Sequence, residues 1–122
     1  MMITALQVAL GGAIGATLRY LAGVAVLRVA GPGFPLGVLG VNIVGSFLMG
    51  ALVVYLGQRG LTHLNPLLAT GLLGGFTTFS SFSLEAYTLF ERGQAVLYVA
   101  LSVGVSLLAL VAGVFSMRGA LA

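Results

Sequence analysis

Four long apolar stretches, separated by short polar or turn-forming segments, make up almost the whole chain. A helix that crosses a bilayer needs about 20 mostly apolar residues, and each stretch is long enough. The stretches predict helices from about Ile3 to Ala30, Leu36 to Gln58, Pro66 to Phe90 and Val96 to Met117. The pattern therefore predicts an all-α membrane protein, with residues 1–122 forming one four-helix transmembrane domain.

The third apolar stretch contains a polar, glycine-rich run from Gly71 to Ser83 that is unfavourable for a continuous helix. Glycine has the largest backbone entropy cost in a helix, and threonine is β-branched. We predict that the third helix breaks in this run, in the middle of the membrane. A break frees backbone groups that lipid cannot satisfy, so the segment must be buried in protein or line a polar cavity. Broken helices at this depth are typical of ion sites.

Composition supports the membrane assignment and excludes several classes of function. The chain is 60% hydrophobic and 6% charged, whereas soluble chains carry about 25% charged residues. Its five basic residues are scattered arginines, which form no basic patch, so nucleic acid is not an expected partner. Aspartate, lysine and cysteine are absent, and the one histidine, His63, is expected to be a solvated loop residue. No enzyme motif can be assembled, and we expect no catalytic activity.

The arginines give no preferred orientation in the membrane. With four spans, Arg59 and Arg118 lie on one side, while Arg28 and Arg92 lie on the other. Because arginine and lysine bias normally fixes orientation, a balanced count predicts that copies insert both ways. Four helices enclose little polar interior alone. We therefore expect an antiparallel, dual-topology homodimer.

Glycines at a spacing of four indicate close helix packing. Gly11 and Gly15 in the first helix, like Gly71 and Gly75 in the third, have the spacing that lets membrane helices approach closely. Such spacings also arise by chance in a chain with 19 glycines. Together they favour a tightly packed bundle.

Asn42 is the polar residue that is most costly to bury in the second span. Its carboxamide needs hydrogen-bond partners in the membrane, and Ser46 lies one turn later on the same face. One interpretation is an interhelical hydrogen bond that holds the bundle together. The other is a donor that faces an anion pathway.

Phe79 and Phe82 share one helical face and alternate with Ser80, Ser81 and Ser83. Aromatic rings have electropositive edges, which can contact a small anion. Membrane phenylalanines are ordinarily core or lipid-facing residues, but the neighbouring hydroxyls and the break favour a polar pathway.

Three further features could belong to such a pathway. The fourth span carries a hydroxyl stripe at intervals of four, formed by Tyr98, Ser102 and Ser106. Two charged residues, Arg19 and Glu85, lie within the first and third spans. They either extend to the membrane surface or line a vestibule, where Arg19 would attract anions.

Three motifs, Gly11–Tyr20, Gly37–Phe47 and Gly71–Phe82, together resemble the Fluc (CrcB) fluoride channels of microbes. They occur in the family's order over nearly the whole chain. The run Gly-Gly-Phe-Thr-Thr-Phe-Ser-Ser-Phe is highly specific. One departure is Val38, which stands where the family commonly has threonine.

The resemblance implies a passive fluoride channel in the cell (inner) membrane that exports fluoride from the cytoplasm. It implies a dual-topology homodimer in membrane lipid, with two antiparallel pores and one structural sodium ion (Na⁺) at the centre. By resemblance, the fluoride pore would be lined by Asn42, Phe79, Phe82, Ser81, Tyr98, Ser102 and Ser106. The vestibule would hold Arg19 and Glu85. The backbone carbonyls of Gly74 and Thr77 would bind the sodium.

Two rival functions are considered, and one of them, a small multidrug exporter, belongs to proteins of similar length and helix count. A small dual-topology multidrug exporter needs a carboxylate in the membrane, for which Glu85 is the sole candidate. A non-transporting assembly or scaffold protein would need only the glycine packing, but it leaves Asn42, Phe79 and Phe82 without a function.

Overall fold

The computed structural model describes all 122 residues and is entirely helical. Helix α1 spans Met2–Ala30, α2 spans Leu36–Gln58, and α5 spans Ala95–Leu121. These three helices and the third span, Thr62–Phe90, are long and apolar enough to cross a membrane. The predicted bounds of the first two spans are confirmed to within one residue, and the fourth span continues to Leu121.

The third span is broken, as the sequence predicts. It begins with a 3₁₀ turn, Thr62–Leu64, and a π-helix, Pro66–Leu73, followed by one turn of α-helix, α3, Gly74–Phe76. Thr77 then takes an extended conformation, with φ −83° and ψ 161°. The chain resumes as helix α4, Ser80–Phe90. The break thus occupies residues 77–79, inside the predicted run.

The π-helix was not predicted from the sequence. Its wider turns present the carbonyl oxygens of Leu67 and Leu72 towards α1, opposite Gly11 and Gly15. The apolar pattern of Pro66–Leu73 is the same for either helix type.

The predicted close packing is found between the first and third spans. Gly11 lies against Gly71, Gly15 lies against the backbone of Leu72, and Gly75 lies against the backbone of Gly12. Because glycine has no Cβ, the two backbones touch directly.

Substitution of Gly15 by alanine is expected to destabilise the fold. An added methyl group would lie 2.8 Å from the backbone nitrogen of Phe76 and would also meet the carbonyl oxygen of Leu72. Neither backbone group can rotate away, and such overpacking costs roughly 1–3 kcal/mol. Thermal unfolding in detergent measures the effect. Gly23→Ala in the same helix is the control, since nothing lies within 4 Å of its added methyl group. Equal melting temperatures for the two variants would contradict this packing.

Helix α2 packs mainly against α5, just as α1 packs against the π-helix. Here too the contact is made at glycines: a Cβ on Gly50 would meet the backbone of Leu110, and one on Gly113 would meet the backbone of Phe47. Two tight helix pairs therefore stand side by side. The break in the third span faces the α2–α5 pair.

Candidate functional site

Asn42 bonds the backbone of the break. Its side-chain nitrogen donates to the carbonyl oxygen of Thr78 at 2.9 Å, and its side-chain oxygen accepts the Thr78 N–H at 2.8 Å. Both backbone polar groups of one residue, left without helical partners by the break, are thus satisfied by one carboxamide. An amide nitrogen carries two hydrogens, so Asn42 retains one further donor. The two interpretations of Asn42 are therefore compatible.

The break also separates two helix ends of opposite polarity. On the α3 side, the carbonyl oxygens of Gly74 and Thr77 accept no hydrogen bond within the chain. On the α4 side, the Thr78 hydroxyl accepts the Ser81 N–H at 3.2 Å, and the Phe79 N–H has no partner in the chain. The end of a helix that exposes carbonyls attracts cations, and the end that exposes N–H groups attracts anions.

An open cavity of about 410 Å³ lies at the break. Its walls are formed by the face of α2 from Asn42 to Met49, by the break and by α5. They carry hydroxyls, an amide, aromatic rings and apolar groups, and no ionisable side chain. The lining residues are Asn42, Gly45, Ser46, Met49, Gly74, Thr77, Thr78, Phe79, Phe82, Ser102, Val103, Ser106 and Leu110.

The two phenylalanines of the predicted pore lie together in this cavity. Their ring centroids are 5.6 Å apart, with the ring planes inclined by 55°. Phe82 is 9% exposed and is part of the hydrophobic core, whereas Phe79 is 77% exposed at the open side of the cavity. Phe82 is therefore fixed by the chain itself, and Phe79 is not.

Two serine hydroxyls in the cavity wall lack partners. The oxygens of Ser102 and Ser106 are buried and make no hydrogen bond within the protein. A buried hydroxyl without a partner carries a desolvation cost of roughly 1–3 kcal/mol. A hydrated or partly dehydrated ion in the cavity would supply the missing partner.

Four predicted site residues lie outside this cavity. The Arg19 Nε donates to the carbonyl oxygen of Gly75 at 3.1 Å, next to the break. The Tyr98 hydroxyl donates to Glu85 Oε2 at 3.1 Å, with the Tyr98 ring fully buried. Ser81 is half-buried and contributes its backbone N–H to the break. The cavity thus brings together Asn42, both phenylalanines, the two serines and the two residues proposed as sodium ligands.

Thr78 is a residue of the candidate site that the sequence did not single out. It lies within the specific Gly-Gly-Phe-Thr-Thr-Phe run, but its role depends on Asn42, which is 36 positions away in the chain. The sequence feature that could have indicated this pairing is the presence of both the Asn42 carboxamide in one span and a predicted helix break in another. Each needs a polar partner, and each can supply one to the other.

Fold and site define a multi-pass membrane protein with an uncharged polar cavity at a helix break. The family model described as CrcB-like protein, Camphor Resistance (CrcB), matches residues 6–114. The chain belongs to the CrcB family, as the three sequence motifs indicate.

Relatives of high identity agree with this membership. A protein from Ruegeria sp. is 66% identical over 125 residues, covering 99% of both chains. One from Cereibacter sphaeroides is 59% identical over 122 residues, covering 98% of both chains. One from Rhizobium etli is 52% identical over 122 residues, covering 96% of this chain and 98% of the relative. Each relative is named a fluoride-specific ion channel FluC, and the family is not one of enzymes.

Proposed function

We propose that this protein is a fluoride-selective passive ion channel. The observation that carries the proposal is the cavity at the break, which offers several hydrogen-bond donors and ring edges but contains no ionisable side chain. Such a lining suits a small anion. It does not suit cation–proton exchange, because the one candidate carboxylate, Glu85, lies outside the cavity and is bonded to Tyr98. The names of the relatives supply the identity of the ion.

Fluoride binds water strongly, so a selective path must replace its hydration shell. The remaining N–H of Asn42 and the unpaired hydroxyls of Ser102 and Ser106 can donate to the ion. The positive edges of the Phe79 and Phe82 rings add attraction without offering a cation site. The N-terminus of α4 contributes a favourable dipole. These contacts are individually weak, which permits the ion to leave as well as to enter.

The working form is proposed to be an antiparallel homodimer with two pores. The balanced arginines allow both insertions. The cavity of one chain is open on the side where Phe79 is exposed, and a second copy would close it. Each copy would then complete the pathway of the other.

If copies insert in both orientations, a residue in one connecting loop faces the outside of the cell in about half of the copies, and a reagent that cannot cross the membrane should label only that half. Because the chain has no cysteine, His63→Cys in the exposed loop before the π-helix gives a single labelling site. Intact cells are treated with a membrane-impermeant maleimide, and detergent-permeabilised cells give the full signal. Labelling of all copies, or of none, in intact cells would rule out dual topology.

A structural sodium ion is proposed at the carbonyls of Gly74 and Thr77. Both oxygens are free of hydrogen bonds and both residues line the cavity; Gly74 begins the short helix α3, and Thr77 directly follows it. Carbonyl oxygens suit a hard cation without any acidic side chain. The sodium would neutralise this negative helix end. Replacing sodium with a large organic cation should lower the melting temperature of the folded protein, and an unchanged value would count against the site.

Export from the cytoplasm follows from passive flow. Fluoride that enters a cell as the uncharged acid ionises inside and leaves through the channel down its gradient. A bacterial strain without fluoride export of its own should grow in fluoride when it produces this protein. Equal sensitivity with and without well-expressed protein would refute the protective role.

A further inference from the structure

A loop residue outside the cavity is connected, through the ring of Tyr98, to the aromatic side chains that line the cavity. Phe34 lies in the α1–α2 connection, and its ring meets Tyr98 edge to face, with centroids 5.4 Å apart and planes inclined by 81°. The Tyr98 ring is 5.3 Å from that of Phe82, which is 5.6 Å from that of Phe79. The four rings form an unbroken series from the loop to the cavity.

Tyr98, at the centre of this series, is held from three directions. Its hydroxyl donates to Glu85, and one side of its ring packs on Phe82. Glu85 and Phe82 are both residues of α4. The contact with Phe34 comes from a different part of the chain. The Tyr98 ring is fully buried, so any displacement moves its neighbours. Phe34 therefore helps to determine where the Phe82 ring stands.

Space is available for Tyr98 to move if Phe34 is shortened. Phe34 lines a second open cavity of about 410 Å³ together with Glu85 and Arg92. The loop backbone around Phe34 is constrained, since Pro32 and Pro35 have fixed φ angles and the Phe34 carbonyl accepts the Leu36 N–H at 2.8 Å. The loop thus holds the ring in place, and the ring separates Tyr98 from that cavity.

We propose that Phe34 is a positioning residue of the ion pathway, whose ring holds Tyr98 against Phe82 and so fixes the Phe82 ring edge in the cavity at the break. The inference rests on the proposed channel function. Phe34 itself does not touch the ion. It acts through Tyr98, and the effect of changing it should disappear when Tyr98 is already truncated.

The test is fluoride efflux from liposomes, normalised to folded protein from size-exclusion chromatography. Phe34→Leu, which keeps apolar bulk and removes the ring, should lower the rate about tenfold, while Phe34→Tyr, which keeps the ring, should stay within about twofold of the unmodified protein. In a Tyr98→Leu background, Phe34→Leu should add less than about a twofold loss. Phe115→Leu, at an exposed ring on α5, is the control for loss of one aromatic residue.

The outcomes separate this inference from the function on which it depends. Absence of fluoride efflux from the unmodified protein would reject the channel itself. If that protein conducts, an unimpaired Phe34→Leu, an equally slow Phe34→Tyr, or an additive loss with Tyr98→Leu would each overturn the positioning role. If Phe34→Leu does not fold, Phe34→Met replaces it. If neither variant folds, Phe34 is a structural residue and the proposal is wrong.

Discussion

Replacement of Asn42 by alanine is expected to lower fluoride efflux at least about a hundredfold and to destabilise the folded protein. The truncation leaves the N–H and the carbonyl of Thr78 without partners. An unsatisfied buried backbone group costs about 1–3 kcal/mol, and because both Thr78 groups are only part-buried, we expect a cost near the lower end of that range for each. The break would then rearrange, and the donor of the pathway would be lost with it. Liposome efflux and thermal unfolding in detergent measure the two effects.

Two further variants separate the contributions of Asn42. Gln58→Ala removes the same chemical group from an exposed position at the end of α2 and should leave both measurements unchanged. Asn42→Asp keeps the shape and still accepts from the Thr78 N–H, but it cannot donate to the Thr78 carbonyl when ionised, and its negative charge repels an anion. Conduction at the normal rate by either Asn42 variant would show that the carboxamide is dispensable.

Phe82→Ile should abolish fluoride flux or slow it by at least about tenfold. Isoleucine retains apolar bulk but has no electropositive ring edge. Phe82 is 9% exposed and is held between Phe79 and Tyr98, so its ring has a fixed place in the wall of the cavity. A ring that is held in place needs no reorganisation when an ion enters the cavity. Efflux from liposomes at matched protein density is the measurement.

The appropriate control for Phe82 lies on the same helix. Phe90 is 76% exposed and contacts neither Phe79 nor Tyr98 through its ring, so Phe90→Ile should conduct normally. The folded state of each variant is checked by size-exclusion chromatography. Normal flux through folded Phe82→Ile would refute the aromatic-edge mechanism and leave the hydroxyls and Asn42 as the only candidate fluoride contacts.

Local sequence signals predicted most of the fold. The second span ends where the apolar run gives way to Arg59 and Gly60, and α2 ends at Gln58. The break was predictable because Gly74, Gly75 and the two threonines are poor helix formers, although tertiary contacts decide that it falls at residues 77–79. The glycine pairs were also visible as spacings. Their direct opposition across α1 and the third span became apparent only in three dimensions.

Long-range contacts were not predictable from local patterns. The bond between Asn42 and Thr78 joins two spans, and the contact between Phe34 and Tyr98 joins a loop to the last helix. Both depend on how the helices are placed beside one another, which no periodicity encodes. The resemblance named seven of the thirteen residues that line the cavity, but neither Thr78 nor the hydrogen bonds at the break. The second copy and the sodium ion stay predictions because both would act on surfaces that one chain leaves open.

Fluoride selectivity is the central claim, and ion efflux from liposomes tests it most directly. Purified protein is reconstituted, the membrane potential is set with a potassium ionophore, and fluoride and chloride release are followed in parallel with ion-selective electrodes. We predict rapid fluoride release with chloride release no faster than from protein-free liposomes. Equal release of both ions, or release of neither by folded protein, would contradict a fluoride-selective passive pore.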